Sequence, residues 1–304
     1  MNKRKPTLSI GLPVYNGEPF LQQALQSLLA QTYSDFELIV SDNASTDRTE
    51  EICRDYAAKD ARVRYSRNTK NIGVGPNFNR VFKLSTGEYF KWASADDVCE
   101  PEHLARCLDV LYKDQSAVLA CSRARFIDNA GKPLDLNDPG WNLRVESPYD
   151  RLRYVIGAGH WVNPHYGVIR SGALAKTRLM PGYPGGDYRL LAELSLLGKF
   201  VEIPEYLFMR RVHPGASSQN TTKTTWMIEF HSGKESTVCF PFWHLSVDHL
   251  ITIIKSKLIL GEKASLVAVV LRGMWWQHRR LLEELRFGCA FYWHRLPLSR
   301  SRFR

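Results

Sequence analysis

The first 127 residues alternate between two patterns of apolar positions. Alternate residues from Leu8 to Val14 are apolar, which predicts a β-strand that ends before the turn pair Asn16-Gly17. Pro19 favours the start of a helix, and the leucines between Leu21 and Leu29 then recur at helical spacing. Repeated strand–helix units of this kind predict an α/β fold with a mostly parallel, Rossmann-like sheet flanked by helices.

The same patterns predict the elements that follow. Strands are expected at Phe36–Val40, at Val63–Ser66, around Tyr89 and at Ala117–Ile127, with helices through Ile52 and Tyr56, at Asn77–Leu84 and at Pro101–Lys113. After Ile127 the alternation becomes less regular. It predicts a long loop at Asp128–Pro148, a strand at Tyr166–Arg170, a helix at Asp187–Leu197 and two strands at Lys199–Ile203 and Tyr206–Val212.

The end of the chain lacks strand patterns. The polar stretch Ser217–Thr225 predicts a linker, and apolar positions in Leu245–Leu260 and Leu266–Leu285 predict helices. We therefore expect an α/β domain at residues 1–219 and a C-terminal helical extension at residues 220–304. No apolar run reaches the roughly 18–20 residues that a membrane-spanning helix needs.

Positive charge is concentrated in the C-terminal extension. Residues 223–304 contain 13 Lys and Arg against 6 Asp and Glu, so they carry +7 of the formal net charge of +10. The segment also contains Trp226, Trp243, Trp275, Trp276 and Trp293. Basic helices with aromatic side chains are typical of proteins that lie on an anionic membrane surface. The equally supported alternative is that these helices pack on the rest of the chain or on a second subunit of a homo-oligomer.

Cysteine spacing and the N-terminus indicate the compartment. The six cysteines show no CxxC or CxxH spacing, which argues against a zinc site or a disulfide framework and favours a reducing compartment. A strand pattern, and not an apolar signal segment, follows the basic residues Met1–Lys5. We therefore expect a cytoplasmic protein, either free or peripheral on the cytoplasmic face of the membrane. The charges of the extension form no compact basic stripe, so we do not expect nucleic acid binding.

Two adjacent carboxylates follow the strand around Tyr89. In an open α/β sheet, ligands bind at the carboxyl ends of the strands, which is where Asp96 and Asp97 are expected. Paired carboxylates in that position suit a magnesium ion that is also held by substrate phosphates. The alternative is that either side chain ties a turn or caps the helix that starts near Pro101.

Polar residues also follow the first and second strands. Tyr15 could stack on a nucleotide base, and Asp42 could accept a hydrogen bond from its ring N–H. The alternative is that the segment Ser41–Asp47 is a helix entry, with Ser45 or Thr46 as the N-cap. Such a capped helix start can itself bind anions.

Two later motifs carry further candidates for site residues. His213, in Arg211–Ser217, could bind a metal or a phosphate, although a histidine there is most often a surface or hydrogen-bonded residue. Asp187 follows two glycines at a helix start, where it could be a simple cap or a general base. The segment Gly73–Phe78 lacks the third glycine of a dinucleotide-binding fingerprint, and the chain has no P-loop.

Taken in order along Ser9–Ser218, these motifs resemble the family 2 glycosyltransferases, which are inverting enzymes of the GT-A fold. The segments that carry the resemblance are Leu12-Pro13-Val14-Tyr15-Asn16, Leu28-Leu29-Ala30-Gln31-Thr32, Ser41-Asp42-Asn43-Ala44-Ser45-Thr46-Asp47, Asn71-Ile72-Gly73, Thr86-Gly87-Glu88-Tyr89, Ala95-Asp96-Asp97, Gly186-Asp187 and Arg211-Val212-His213-Pro214-Gly215. The resemblance implies transfer of a hexose or deoxyhexose from a nucleotide-diphosphate sugar to a hydroxyl of a glycan, a lipid-linked saccharide or another acceptor.

The resemblance also implies roles for individual residues. The residues expected to bind the substrate are Pro13, Tyr15, Asn16, Asp42, Asn71, Asn79 and Asp96. Those expected to hold Mg²⁺ or Mn²⁺ are Asp97, Asp96 and His213, and Asp187 is expected to be the catalytic base. The chain departs from the family at Ser94, where many members carry a further Asp, so metal binding is expected to be weaker or the ribose contact to pass to Asp96.

The resemblance divides the α/β domain into a nucleotide-sugar-binding half at residues 1–98 and an acceptor-binding half at residues 99–219. In the second half, the side chains that could bind an acceptor sugar are Trp141, His160, Trp161 and His165, with a role as core residues the alternative. A sugar nucleotidyltransferase would need a glycine-rich, arginine-containing loop after the first strand, which Gly11–Gly17 is not. The remaining alternative is a non-catalytic, membrane-associated binding module derived from such a transferase.

Overall fold

The structure, a computed structural model, describes residues 5–158, 163–216 and 240–293. Within these residues, strand-forming segments build one sheet of eight strands. The strands are β1 Leu8–Val14, β2 Phe36–Asp42, β3 Val63–Arg67, β4 Tyr89–Trp92, β5 Val98–Cys99, β6 Ala117–Ile127, β7 Val168–Arg170 and β8 Lys199–Arg211. Their order across the sheet is β3-β2-β1-β4-β7-β6-β8-β5.

The helices connect the strands and follow them at the C-terminal end. They are α1 Glu18–Leu29, α2 Thr49–Lys59, α3 Val74–Lys83, α4 His103–Lys113, α5 Pro148–Gly157, α6 Ser171–Leu174, α7 Gly186–Leu197, α8 Pro241–Lys255, α9 Leu260–Trp276 and α10 His278–Trp293. A 3₁₀ turn at Pro164–Tyr166 precedes β7.

The sheet is mixed. β1, β2, β3 and β4 pair in parallel, as do β6 and β8. β7 runs antiparallel between β4 and β6 and so joins the two parallel groups, and β5 is antiparallel to β8. The expectation of a mostly parallel sheet flanked by helices, with helices at the C-terminal end, is confirmed.

Apolar residues cover both faces of the sheet, because the central strands are buried on both sides. Every residue of β1 and β2 is buried. One apolar cluster lies between the sheet and α1, α2 and α4, and includes Leu25 and Leu108. The other lies beneath α3, α5 and α7, and it extends to Ile253 of α8 and Leu266 of α9. The C-terminal helices therefore pack on the α/β core through their inner faces.

Two predicted strands are different in the structure. The predicted strand Tyr166–Arg170 is shortened to β7, since Tyr166 belongs to the 3₁₀ turn. The predicted strands Lys199–Ile203 and Tyr206–Val212 are one strand, β8. Its pairing with β6 skips three residues, Pro204 and Glu205 together and then Leu207. Proline has no N–H for the ladder, and a bulge accommodates it without ending the strand.

The predicted C-terminal helices are present, but the described part of the extension forms three helices with different bounds from the two predicted segments. The first begins earlier than predicted, at Pro241, where proline favours a first helical turn. The second begins at Leu260, where the Glu262 carboxylate accepts a hydrogen bond from the Ile259 backbone N–H at 3.1 Å. The predicted linker Ser217–Thr225 lies outside the described residues. Of the helices that are described, none is both long and apolar enough to span a membrane. The boundaries at residues 98 and 219 stay predictions.

Candidate active site

The candidate site lies where the carboxyl ends of β1, β2 and β4 meet. In the parallel register Val14 is opposite Asp42, and Gly11 is opposite Trp92. The residues that follow these three strands therefore share one edge of the sheet. This edge brings together the motifs after β1, after β2 and after β4 that the sequence singled out.

The acidic pair after β4 is held by residues after β8. The Asp96 carboxylate faces His213, with 3.0 Å between Oδ2 and Nε2, and accepts a hydrogen bond from the Ser94 hydroxyl. Asp97 accepts a hydrogen bond from the Arg211 backbone N–H at 2.8 Å. Sequence reasoning placed both acids correctly at a strand end, while their contacts with His213 and Arg211 link residues more than 110 positions apart.

The two carboxylates have opposite pKa shifts. Burial would raise the pKa of Asp96, but the hydrogen bonds from His213 and Ser94 outweigh it and lower the pKa. Burial and the neighbouring negative charge of Asp96 raise the pKa of Asp97 to about 8. A bound cation would offset both causes of that rise, since it would supply the positive charge that the pair lacks.

The residues present fit a magnesium-type site completed by a ligand. Among the described residues, no group of three or more His, Cys, Asp or Glu side chains is arranged to hold a metal ion. Magnesium usually keeps water molecules and binds through one or two carboxylates together with substrate phosphates. Asp96 and Asp97 supply that donor set, and Ser94 stabilises Asp96 where an additional Asp would add a third acid.

Asp187 lies in the first turn of α7. The preceding Gly185 has a φ of 81°, a left-handed conformation that glycine adopts without strain. A Cβ on Gly186 would lie 2.2 Å from Cγ of Pro181, so the chain packs very closely here. Burial raises the pKa of Asp187. A raised pKa makes the Asp187 carboxylate a stronger base than an exposed aspartate.

Arg210 is a residue that sequence reasoning missed. Its positive charge lowers the pKa of Asp97 and of Asp187, each against a larger effect of burial, so it lies within electrostatic range of both carboxylates. Its guanidinium donates a hydrogen bond to Asn163 at 2.6 Å. Its position in β8, next to the Arg211–Gly215 motif, was the only available signal in the sequence.

Asn16 joins the ends of β1 and β2. Its backbone N–H donates to the Ser45 hydroxyl at 2.9 Å, and its side-chain oxygen accepts from the Thr46 N–H at 2.8 Å. The alternative in which Ser45 or Thr46 caps the following helix is wrong, because α2 begins at Thr49. Asp47 accepts a hydrogen bond from the Thr49 N–H at 3.0 Å instead.

Tyr15 and Asp42 differ in accessibility. Tyr15 is 40% exposed directly after β1, and Pro13 is buried within the strand. Asp42 is fully buried. Its carboxylate accepts hydrogen bonds from the Ser45 N–H, the Tyr65 hydroxyl and the Arg67 guanidinium, at 2.7–2.8 Å. A contact from Asp42 to a nucleotide base stays a prediction.

Two predicted substrate-binding asparagines hold loops in place. The Asn71 side-chain oxygen accepts hydrogen bonds from the Asn43 amide at 2.7 Å and from the Gly73 N–H at 2.8 Å. The Asn79 amide is paired with the backbone of Met180, donating to its carbonyl at 2.8 Å and accepting from its N–H at 2.9 Å. Their contacts with a nucleotide sugar stay predictions.

The predicted acceptor residues are largely buried. Trp141 is 1% exposed and belongs to the apolar cluster beneath α5 and α7. His165 is also buried, and burial together with the charges of Arg210 and Lys91 lowers its pKa to about 3, so the ring is neutral. His160 and Trp161 lie outside the described residues.

An acidic pair at the end of β4, in a mixed sheet of this order, defines a GT-A-type fold. The family model described as glycosyl transferase family 2 matches residues 9–166. The match covers more than half of the 304 residues, and the chain belongs to this family. Its sequence is 30% identical to chondroitin synthase of Escherichia coli over 216 residues, which are 69% of this chain and 30% of that protein.

Two solved structures resemble this fold. S. aureus TarS 1–349 in complex with UDP-GlcNAc has a TM-score of 0.70 and 17% sequence identity, with coverage of 92% of this chain and 79% of that chain. Mannosyltransferase PcManGT from Pyrobaculum calidifontis, in complex with GDP-Man and Mn²⁺, has a TM-score of 0.55 and 16% identity, with coverage of 95% and 81%. These likenesses confirm the GT-A fold. The chain spans less than half of the length of the first curated relatives that it matches.

Proposed function

We propose that this protein is an inverting glycosyltransferase, which moves a sugar from a nucleotide-diphosphate sugar to a hydroxyl of a glycan, lipid-linked or other acceptor. The observation that carries the proposal is the grouping of Asp96, Asp97 and His213 at the carboxyl end of β4, with Asp187 at the start of α7 and Arg210 within electrostatic range of both acids. Membership of glycosyl transferase family 2 supports it.

Asp97, Asp96 and His213 would hold Mg²⁺ or Mn²⁺ together with the diphosphate of the donor. The bound cation would stabilise the negative charge that develops on the diphosphate as it leaves. The proposal is supported by the raised pKa of Asp97, which burial and Asp96 cause. It is also supported by the Mn²⁺ in the complex of the Pyrobaculum mannosyltransferase.

The donor would bind across the ends of β1 and β2. Tyr15 is 40% exposed and could stack on a base. The further residues that we propose to contact the donor are Pro13, Asn16, Asp42, Asn71 and Asn79. UDP-GlcNAc and GDP-Man are bound by TarS and by the Pyrobaculum mannosyltransferase, which are proteins of the same fold. These complexes support a nucleotide-diphosphate sugar as the donor.

Asp187 would act as the general base. It would remove a proton from the acceptor hydroxyl as that oxygen attacks the anomeric carbon from the face opposite the diphosphate, which inverts the configuration. General-base help of this kind is typically worth about 10²–10⁴-fold in rate. The raised pKa that burial gives Asp187 supports this role, because a base is most effective when its pKa approaches the working pH.

Release of nucleotide diphosphate tests the proposal against a non-catalytic binding module. The full chain is incubated with UDP, GDP and dTDP sugars, with and without Mn²⁺, and the free diphosphate is measured along with sugar transfer to a panel of acceptors. If the protein is a transferase, it releases nucleotide diphosphate from one class of donor, and it does so only when Mn²⁺ is present. A protein that binds a donor without turnover under every condition is the binding module instead.

We further propose that the C-terminal extension rests on an anionic membrane surface, on its cytoplasmic face. The exposed residues of α9 are Leu260, Gly261, Ala264, Ser265, Ala268, Leu271, Arg272, Trp275 and Trp276. Among the described residues from Ile254 to Arg280, those exposed include Lys255, Lys257, Arg272, Arg279 and Arg280 but no Asp or Glu. Exposed tryptophans beside basic residues suit the interface of an anionic bilayer. A lipid-linked acceptor would share that surface.

A further inference from the structure

The loop that precedes the proposed base is held by the C-terminal extension. Residues 175–185, which we name the α6–α7 loop, join α6 to α7 and end two residues before Asp187. Asp248, on α8, accepts hydrogen bonds from the Arg178 guanidinium and from the Tyr183 hydroxyl. The Asp248 carboxylate therefore bonds to two residues of the loop, Arg178 near its start and Tyr183 near its end.

Further polar contacts surround Asp248. The Arg178 guanidinium also bonds Glu193 of α7 and donates to the Thr252 hydroxyl at 3.1 Å. Arg189 of α7 lies 3.5 Å from the Asp248 carboxylate and donates to the carbonyl of Arg178 at 3.1 Å. Burial would raise the pKa of Asp248, but the Tyr183 hydrogen bond and the two arginine charges lower it, so the carboxylate is ionised at neutral pH.

The loop contains one residue in an unfavourable backbone conformation. Leu179 has a φ of 57°, in the left-handed region that residues other than glycine rarely adopt. Arg189 donates a hydrogen bond to the Leu179 carbonyl. Strained backbone persists only where the surroundings over-determine it, and here the surroundings are α7 and α8.

The opposite side of the loop packs against α3. Asn79 pairs with the backbone of Met180 through two hydrogen bonds. A Cβ on Gly75 would lie 2.2 Å from the carbonyl oxygen of Pro181, so the two segments are in close contact. The α6–α7 loop is therefore clamped between a helix at the end of the nucleotide-side strands and a helix of the extension.

We propose that Asp248 is a positioning residue for the transfer reaction, through which the C-terminal extension fixes the α6–α7 loop and so the placement of Asp187. This inference rests on the proposed function of Asp187. A displacement of a catalytic group by about 1 Å can cost about 10²-fold in rate. Loss of the Asp248 charge leaves Arg178 and Arg189 with fewer partners in a half-buried site, which favours movement of the loop.

The test compares Asp248→Asn with Glu283→Gln, a loss of one charge at an exposed position of α10. We expect Asp248→Asn to lower kcat for transfer by about 10-fold or more, with the donor Kd within about twofold of wild type. Glu283→Gln should change neither. Tyr183→Phe removes one of the hydrogen bonds to Asp248, and the double variant should lose less than the product of the two single effects, since both act through one contact.

A purely structural role for Asp248 predicts a different result. It would lower the midpoint of unfolding but leave kcat per folded molecule at wild-type level, and that outcome would overturn the inference. Hydrogen exchange of residues 175–185 gives a second readout. Faster exchange in this loop in Asp248→Asn, with unchanged exchange in α8, supports positioning, and unchanged exchange in the loop refutes it. If the wild-type chain transfers no sugar, the proposed function fails, while the exchange result still decides whether Asp248 holds the loop.

Discussion

At the scale of single residues, the candidate site depends on the different environments of three carboxylates. Asp96 is paired with His213 and its pKa is lowered against the effect of burial. Burial raises the pKa of Asp97 and of Asp187, and the positive charge of Arg210 only partly offsets that rise. The three acids have different environments, which suits the proposed roles of Asp96 and Asp97 as metal ligands and of Asp187 as the proton acceptor.

We predict that Mn²⁺ binding in the presence of a nucleotide diphosphate tightens as the pH rises from 6 to 8. Asp97 has a pKa of about 8 in the metal-free protein, so below that pH the ion must displace its proton. Displacement of one proton corresponds to at most about a tenfold gain in affinity per pH unit. Titration calorimetry at several pH values measures this slope.

The Asp97→Asn variant is expected to lose metal-dependent donor binding altogether. Asp109→Asn, which removes an exposed carboxylate that pairs with Lys113 on α4, is the control and should behave as wild type. Binding of a nucleotide diphosphate by Asp97→Asn that is as tight with Mn²⁺ as that of wild type would show that the metal is held elsewhere.

Asp187→Asn should retain donor affinity and lose transfer by at least ~10²-fold. The amide cannot accept the acceptor proton, while the donor contacts at β1, β2 and β4 are unchanged. Single-turnover transfer and donor binding are measured separately. Turnover close to wild type would assign the base to another residue. Glu193, the other acid of α7, is paired with Arg178 behind the loop and is the next candidate.

At the scale of secondary structure, close packing between elements positions the site. The α6–α7 loop is held between α3 and α8. The end of β8 places Arg210 and Arg211 near Asp97, which accepts a hydrogen bond from the Arg211 N–H. β8 stays a single strand through its bulge at Pro204 and Glu205. A shift of any of these elements is therefore expected to displace Asp97 or Asp187.

Gly186→Ala is predicted to destabilise the fold and reduce transfer. The added methyl group would lie 2.2 Å from Cγ of Pro181, and overpacking of this kind typically costs about 1–3 kcal/mol. The start of α7, with Asp187, would have to move. Urea unfolding and kcat are the measurements. Gly172→Ala, on α6 with nothing within 4 Å of the new Cβ, is the matched control. Equal stability of both variants would contradict the packing argument.

At the scale of the whole molecule, the C-terminal extension has two distinct faces. Its inner face buries Ile253 and Leu266 in the apolar cluster of the α/β domain. Its outer face leaves Trp275 and Trp276 more than 70% exposed. Packing on the rest of the chain, one of the two alternatives drawn from the sequence, is therefore found for the inner face. Binding of the outer face to a membrane, or to a second subunit, stays a prediction.

We predict that the full chain floats with anionic liposomes at low salt and that the double variant Trp275→Ala, Trp276→Ala floats several-fold less. In the wild-type chain the two indole rings would lie at the membrane interface, together with Arg272, Arg279 and Arg280, and the variant lacks these rings. Liposomes of zwitterionic lipid alone are the control, because they lack the charge that attracts the arginines. Equal flotation of both proteins, or none by either, would remove the membrane role. A change in oligomeric state of the variant would indicate a subunit interface.

The sequence by itself determined the order of the strands and helices from β1 to β4 and the placement of the key acids. β6 has the predicted bounds, Ala117–Ile127, and Asp96, Asp97 and Asp187 follow a strand or begin a helix as expected. These features depend on periodicity and on turn and cap residues within a few positions, so they are encoded locally. The motifs also carried the family resemblance, which the family model confirms.

Tertiary structure decided what these residues contact. Nothing local in the sequence indicated that Asn79 pairs with Met180, that Arg210 acts on both Asp97 and Asp187, or that Asp248 holds the α6–α7 loop. The sequence also did not indicate that β7 lies antiparallel between β4 and β6. Each of these joins segments tens of residues apart, and such contacts form only when the packed core brings the segments together. Side-chain periodicity records which face of an element is buried, but not which distant side chain it meets.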